Sequence, residues 1–269
     1  MFGRFSRLFK MKGLVSVLIF LAVLVLETEI RAQSPHEITI SAAISLKNAF
    51  EDIATLFQER NPGAKVLFNF GASGDLARQI EAGAPVDVFA SAAPKDMDDI
   101  DRKGLVASKS RKDFAENALA LIKPANSNIP INSMEDLRRK QVGKVSIGNP
   151  KTVPAGRYAE EALRHFNLWE GLKEKLIFAE NVRQVLDYVA RAEVDAGLVY
   201  STDAMVRAKE VKVVMKLPEG SHRPVIYPIG VIKGTKEESL SRAFVDLVLS
   251  AEGQKILNRH GFTPAKPQM

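Results

Sequence analysis

Short apolar runs alternate along this chain with longer segments whose apolar residues recur every three or four positions. The short runs are rich in β-branched residues and predict strands, whereas the longer segments predict amphipathic helices. The predicted strands cover 38–40, 66–70, 84–92, 117–122, 144–148, 175–178, 195–200, 211–217 and 225–232. The predicted helices cover 46–60, 76–82, 154–166, 182–189 and 237–257, with a short helix capped by Ser133. Because strands and helices alternate throughout, we expect an α/β protein with mostly parallel sheets.

Two of the predicted strand-to-helix joins contain a serine among small residues. Ser45 follows the first strand at the position of a helix N-cap, and Ser73 lies between Gly71 and Gly74 after the second strand. A helix N-terminus has unpaired N–H groups and a partial positive charge, and glycine lets a ligand approach the main chain. Each join is therefore a candidate anion site. The alternative is that each serine only caps its helix.

Two later helices and one tyrosine extend this pattern. Pro154 suits the first turn of a helix and leaves Ala155 at a bare helix start, while Asn181 is a predicted cap before Val182. Tyr200 ends the strand 195–200. Ligands of α/β sheets bind beyond the carboxyl ends of the strands, where all these groups are expected. The predicted ligand-binding residues are Ser45, Ser73, Ala155, Val182 and Tyr200.

All five predicted groups offer hydrogen-bond donors, and none is a lysine, an arginine or a histidine. A pocket that only donates suits a fully deprotonated oxyanion, because such an anion only accepts hydrogen bonds. Hydrogenphosphate retains a proton and would require an acceptor in the pocket. The residues therefore predict a small dianion as the ligand, with aligned backbone dipoles compensating its charge.

The first 32 residues have the features of a secretory signal peptide. A basic segment with Arg4, Arg7, Lys10 and Lys12 precedes the apolar run 13–26, and Ala32 is a candidate last residue before cleavage. A start at Met11 and a retained membrane anchor are the alternatives. Residues 1–32 contain five Lys/Arg and two Glu, so their removal lowers the net charge from +6 to about +3. The mature chain is expected in the periplasm.

Several functional classes are not supported by the residues. The chain of 269 residues contains no cysteine, which excludes a disulfide scaffold and a thiolate zinc site. The strongest basic cluster, 138–140, has no interleaved aromatic residue, so nucleic-acid binding is not expected. The acidic run 96–101 lacks the glycine and the final glutamate of a calcium loop, and instead predicts an exposed helix face. The four histidines are scattered, and no enzymatic activity is expected.

The motifs taken together resemble the periplasmic molybdate-binding proteins of ABC transporters. The segments that carry the resemblance are 43–49, 70–85, 153–159, 181–183, 197–204 and 259–262. The resemblance covers nearly all of the mature chain. It implies a two-lobed solute-binding protein of the type II, Venus-flytrap class, with a mixed, mostly parallel sheet in each lobe. The implied lobes are 36–118 with 222–269, and 119–221.

The resemblance also implies a function and roles for the five residues. Ser45 and Ser73 would supply hydroxyl and main-chain donors from the first lobe. Ala155 and Val182 would supply main-chain N–H groups from the second lobe, and Tyr200 its hydroxyl. The ligand would be molybdate or tungstate, held through its oxygens, with sulfate excluded by size. The implied protein is a monomer without a cofactor that delivers the anion to a membrane permease. Another oxyanion such as sulfate, or ligand sensing without transport, are the alternatives.

Three residues depart from the pattern of the family that the chain resembles. Ile44 replaces a small residue and is expected to narrow or reshape the first turn. Lys47 replaces a neutral polar residue and would add charge near the site. Asp75 replaces a hydroxyl residue, and its carboxylate would either cap the helix or weaken anion binding by pointing inward. These departures bear on affinity and selectivity.

Overall fold

In the computed structural model of the protein, the described residues are 36–266, and the predicted signal peptide lies outside them. Within this range the strands form two separate mixed sheets, each covered by helices. The strands are β1 His36–Ala43, β2 Ala64–Gly71, β3 Val88–Ala90, β4 Lys112–Asn117, β5 Leu119–Pro124, β6 Val145–Gly148, β7 Leu176–Ala179, β8 Ala196–Tyr200, β9 Val211–Lys216, β10 Val225–Val231 and β11 Thr263–Pro264. This arrangement confirms the predicted two-lobed α/β fold with mixed sheets. The prediction that each sheet is mostly parallel is wrong, because β4, β5, β9 and β10, at which the chain passes between the sheets, run antiparallel to their neighbours.

The helices connect the strands as the alternating pattern predicts. They are α1 Lys47–Arg60, α2 Ser73–Glu81, α3 Pro94–Arg102, α4 Pro154–His165, α5 Trp169–Leu172, α6 Val182–Ala190, α7 Ser201–Val206, α8 Glu238–Leu249 and α9 Ala251–Arg259. Short 3₁₀ turns cover Ile44–Leu46, Glu135–Arg138 and Lys173–Lys175. The described residues contain no helix that combines the length and the apolar character needed to span a bilayer.

Each lobe is built on one of the two sheets. The first sheet has the strand order β11-β4-β10-β3-β1-β2, and the second has the order β7-β6-β8-β5-β9. In the first sheet β1 and β3 are parallel, and β10 is antiparallel to β3 and β4. In the second sheet β6 is parallel to β7 and β8, whereas β5 is antiparallel to β8 and β9. We call the lobe with the first sheet the first lobe, and the other the second lobe.

The chain passes between the sheets at two places. Between β4 and β5 the crossing is a single residue, Ala118, and the return is the segment 217–224 between β9 and β10. The sequence pattern predicts one strand over 117–122, but the structure divides that run between the two sheets. Asn117 ends β4, and its Oδ1 accepts from the N–H of Ala118, after which Leu119 begins β5. The exact lobe boundaries stay a prediction.

The core of the first lobe is formed under α1. Its apolar residues Phe50, Ile53 and Phe57 are all buried, as the helical period predicts. Phe50 and Phe57 pack against Phe244 of α8 with ring centroids 5.9 and 5.4 Å apart, in edge-to-face geometry. Such pairs contribute about 0.5–1.5 kcal/mol beyond their buried area. This packing fixes α1 against the sheet and so fixes the position of the turn before it.

Two predictions about helices are wrong. The predicted terminal helix over 237–257 is two helices, because Ser250 has an extended backbone (ψ 161°) and its Oγ accepts from the N–H of Gly253. Ser133 does not cap a helix. Instead Asp136 Oδ2 accepts from the N–H groups of Asn132 and Ser133, at 2.8 and 3.1 Å, so the carboxylate organises that turn.

Candidate functional site

The structure brings all five predicted ligand-binding residues to one small cavity between the lobes. Its empty volume, including the opening, is about 200 Å³. The lining residues are Ala43, Ile44, Ser45, Gly71, Ala72, Ser73, Ala92, Val153, Pro154, Ala155, Val182 and Tyr200. No side chain in this lining is ionisable except the Tyr200 phenol. A ligand in this cavity would therefore meet hydroxyls, main-chain groups and apolar surface, but no formal charge.

The cavity lies where several helices begin. Ser73 and Val182 are the first residues of α2 and α6, and Ala155 is the second residue of α4. The first N–H groups of a helix have no acceptor within that helix, and the helix dipole places a partial positive charge there. The predicted cap is confirmed at Asn181, whose Oδ1 accepts from Gln184 N at 3.0 Å, leaving the N–H of Val182 outside this bond.

Neither serine is a helix cap, contrary to the capping alternative. Ser45 lies inside the 3₁₀ turn Ile44–Leu46, and α1 begins only at Lys47. Ser73 is already the first helical residue, with Ala72 in the cap position. Neither side chain accepts a bond from the next turn of its helix, so both hydroxyls are available for other partners.

The hydroxyl of Ser73 is oriented by a main-chain donor. Ser73 Oγ accepts from the N–H of Ala92 at 3.0 Å, and the side chain is fully buried. A backbone N–H can only donate, so the serine oxygen uses a lone pair on Ala92 and retains its own proton for another acceptor. The Ser45 hydroxyl lies 3.1 Å from the hydroxyl of Tyr227, a buried residue that is not part of the cavity lining.

Tyr200 has its single proton engaged in this structure. Its hydroxyl donates to the carbonyl oxygen of Ala92 at 3.3 Å, a long hydrogen bond between the two lobes. Burial raises the pKa of Tyr200 well above its usual range, so the phenol remains protonated at neutral pH. Because one proton cannot serve two acceptors, a bound anion would take this donor from Ala92.

The two lobes touch directly beside the cavity. The N–H of Gly74 donates to the carbonyl of Thr152 at 3.0 Å, and a Cβ added at Gly74 would lie 2.7 Å from the same oxygen. The sequence pattern predicts that Gly74 makes room for a ligand. The structure shows that this glycine makes room for the main chain of the second lobe, while Gly71 lies in the cavity lining.

Two arginines lie close to the cavity but are not part of its lining. Arg157 pairs with Asp96 of α3, which links the lobes, and Arg183 pairs with the fully buried Asp203. Arg183 Nη2 also donates to Asn48 Oδ1 at 3.0 Å. Burial raises the pKa of both aspartates, and each arginine opposes that shift. The guanidinium charges are therefore matched by carboxylates.

Asp96 corrects part of the prediction for the acidic run 96–101. The run does form α3, but Asp96 is only 2% exposed and faces the second lobe. Periodicity could not identify this, because the partner that allows burial, Arg157, is 61 residues away. No group of His, Asp or Glu side chains within 36–266 could hold a metal ion.

The three departures from the expected motif lie in different surroundings. Ile44 does line the cavity. Lys47 is half exposed and lies 3.9 Å from Glu51, so its charge is on the outer side of α1. Asp75 neither caps its helix nor points inward, because it pairs with Arg78 on the exposed side of α2. Of the three departures, Ile44 is the one that lines the cavity, and its effect on the shape of the cavity stays a prediction.

Sequence reasoning missed two residues, Ala92 and Tyr227, that hydrogen-bond to the predicted site residues. Ala92 lines the cavity and holds both Ser73 and Tyr200 through its main chain. Tyr227 contacts Ser45 across 182 residues of sequence. Main-chain groups have no sequence signal, and a buried tyrosine in a strand is indistinguishable from a core residue.

Comparisons with known proteins agree with this architecture. The model of the bacterial extracellular solute-binding proteins matches residues 38–263. The molybdate-binding protein ModA of Escherichia coli is 41% identical over 84% of this chain and 89% of its own length. ModA of Haemophilus influenzae is 39% identical over 84% of this chain and 90% of its own.

A solved structure with a similar fold is the periplasmic molybdate-binding protein of Azotobacter vinelandii. Its TM-score is 0.77 at 24% identity, and the match covers 86% of this chain and 100% of that one. At this identity the likeness supports the fold alone. The family model and the two ModA relatives together show that the chain belongs to the bacterial extracellular solute-binding protein family, in which it is a relative of the ModA proteins.

Proposed function

We propose that this protein captures molybdate, and also tungstate, in the periplasm and delivers it to the membrane permease of an ABC transporter. The observation that carries the proposal is the cavity lined by Ser45, Ser73, Ala155, Val182 and Tyr200, in which donors converge without a charged side chain. The choice of molybdate as the ligand is supported by the ModA relatives, which are named for molybdate binding.

The energetics of such a site are sufficient for tight binding. A hydrogen bond to a charged group contributes about 1.5–3 kcal/mol net, and several such bonds offset the cost of association. The dipoles of α2, α4 and α6 add partial positive charge at the same place. Neutral donors can thus hold a dianion without an arginine or a lysine.

The proposed mechanism of capture is closure of the lobes around the anion. Ser45 and Ser73 belong to the first lobe, whereas Ala155, Val182 and Tyr200 belong to the second. The full donor set therefore exists only when the lobes meet, as they do here at Gly74 and Thr152. Closure of two lobes on a ligand is a known mode of conformational change, and the closed form would be the one presented to the permease.

Calorimetric titration of the purified protein with molybdate, tungstate and sulfate tests this proposal. We expect tight binding of the first two anions and weak binding of sulfate. The double variant Ser45→Ala, Ser73→Ala should lose about 10²–10⁴-fold in molybdate affinity, because it lacks two charge-assisted bonds. Ser146→Ala is the matched control, since Ser146 is fully buried but bonds Ile177 O in the second lobe, away from the cavity.

The possible outcomes test the identity of the ligand and the location of the site separately. Sulfate binding without molybdate binding would keep the site and move the function to another oxyanion. Equal losses in the double variant and in Ser146→Ala would show that the serines act through stability rather than contact. An absence of heat with all three anions would reject oxyanion binding.

A further inference from the structure

Two polar side chains outside the cavity lining form a line of hydrogen bonds that ends at Ser45. Tyr227 of β10 is fully buried, and its hydroxyl lies 3.1 Å from Ser45 Oγ. Asn117, the last residue of β4, places Nδ2 3.3 Å from the same tyrosine hydroxyl. The line Asn117–Tyr227–Ser45 therefore runs from the crossing between the lobes to the cavity wall.

The amide of Asn117 determines the direction of these bonds. Its Oδ1 accepts from the N–H of Ala118 at 2.8 Å, so the NH₂ side of the amide must face the other way. The two Nδ2 protons are directed to Thr202 Oγ1 at 2.9 Å and to the hydroxyl of Tyr227. An amide nitrogen only donates, so the oxygen of Tyr227 accepts from Asn117.

The next hydrogen bond in the line runs from the hydroxyl of Tyr227 to Ser45. Tyr227 has one proton, and with Asn117 acting as a donor the acceptor within reach is Ser45 Oγ. Burial raises the pKa of Tyr227, which keeps this proton in place. A serine oxygen that accepts from Tyr227 has its own proton left for the cavity, where its lining position places it.

We propose that Asn117 and Tyr227 are positioning residues that make Ser45 a donor towards the cavity and thereby select against protonated oxyanions. The proposal rests on the proposed function and deepens it. Ser73 is held in the same sense by the N–H of Ala92, so both cavity serines offer protons. A hydrogenphosphate must place its own O–H against an acceptor, and each serine oxygen already has one of its two lone pairs engaged, by Tyr227 or by the N–H of Ala92.

Three variants test the direction of the bonds. Tyr227→Phe removes the donor to Ser45 and keeps the ring that packs against Phe114 and Phe262. Ser45 is then free to accept, so we expect molybdate affinity to fall less than about fivefold and phosphate affinity to rise about tenfold. Tyr158→Phe is the matched control, because Tyr158 is a buried tyrosine outside the cavity lining.

Asn117→Asp should reverse the donor and acceptor roles along the line Asn117–Tyr227–Ser45, with almost no change in side-chain volume. A carboxylate accepts from Tyr227, which makes Ser45 donate to the tyrosine and turn its lone pairs to the cavity. We expect molybdate affinity to fall more than about tenfold in this variant. The added negative charge also acts in the double variant Asn117→Asp, Tyr227→Phe, so a double-mutant cycle removes that contribution.

Calorimetry with molybdate, tungstate and phosphate on the five proteins, with thermal unfolding as the check on folding, gives distinct results. Two results together support the proposal. Asn117→Asp should reduce molybdate affinity much less in the Tyr227→Phe background than in the natural protein, and Tyr227→Phe alone should raise the ratio of phosphate affinity to molybdate affinity. Equal losses from Asn117→Asp in both backgrounds, or an unchanged ratio in Tyr227→Phe, overturn it while molybdate binding by the natural protein stands. No oxyanion binding by the natural protein overturns the proposed function and this proposal together. If Asn117→Asp does not fold, the ratio of phosphate affinity to molybdate affinity in Tyr227→Phe decides whether the proposal holds.

Discussion

Gly74 offers the sharpest test of lobe closure, because its substitution should affect the closed form and leave the open form intact. A Cβ at this position would lie 2.7 Å from Thr152 O and 3.0 Å from Thr152 Cα in the closed structure. Both atoms are main chain and cannot rotate away. The backbone of Gly74 is helical, so alanine fits α2 itself and even raises its helix propensity.

The magnitude of the expected effect follows from two contributions. Displacing Thr152 weakens its hydrogen bond with the N–H of Gly74, worth about 0.5–1.5 kcal/mol. Overpacking against fixed neighbours costs about 1–3 kcal/mol. The helix-propensity gain is present in both open and closed forms and cancels. Gly74→Ala should therefore weaken molybdate binding by about 1.5–4.5 kcal/mol, or about 10–2,000-fold.

Calorimetry with molybdate and thermal unfolding with and without the anion would measure this effect. The melting temperature without ligand should stay the same or rise slightly, and its increase on adding ligand should shrink. Gly171→Ala is the matched control, since Gly171 is also helical but a Cβ there meets nothing within 4 Å. An affinity within threefold of the natural protein would refute closure at this contact, and a large loss of stability without ligand would refute the claim of selectivity.

Three further substitutions have expected outcomes. Tyr200→Phe should weaken molybdate binding by about 10–150-fold through loss of one charge-assisted bond, measured by calorimetry, and no loss would remove Tyr200 from the site. Arg183→Met should lower the unfolding free energy by about 3–5 kcal/mol at neutral pH by leaving buried Asp203 unpaired. That deficit in urea denaturation should shrink as the pH falls, because the raised pKa of Asp203 lets it become neutral, and a pH-independent deficit would contradict this. Asp136→Asn should cost stability near neutral pH but not in acid. The N–H of Asn132 is the main cause that lowers the pKa of Asp136, so its stabilisation exists above the unfolded value of about 3.9 and is lost as pH falls through the lower folded value. A difference that persists in acid would reject that cause.

Local sequence determined the elements and much of the candidate site. The apolar period of α1 and the cap at Asn181 depend on residues within a few positions of one another, so their effects are readable from the chain. The same holds for the small residues at the starts of α2 and α4. Because ligands of α/β sheets bind beyond the carboxyl ends of strands, Ser73 and Tyr200 were both expected at a ligand-binding edge. They lie on different sheets, so their approach to one cavity was implied only by the family resemblance.

The tertiary structure alone decided the features that depend on distant partners. Asp96 is buried because Arg157 of the other lobe neutralises it, and Gly74 is required because the main chain of Thr152 approaches it. The direction of the Ser45 hydroxyl depends on Tyr227, 182 residues away. A hydroxyl can donate or accept with nearly equal ease, so its role is set by the groups around it. The sequence by itself therefore determined which groups reach the cavity, while the packing of the two lobes decided how they close and which way their protons point.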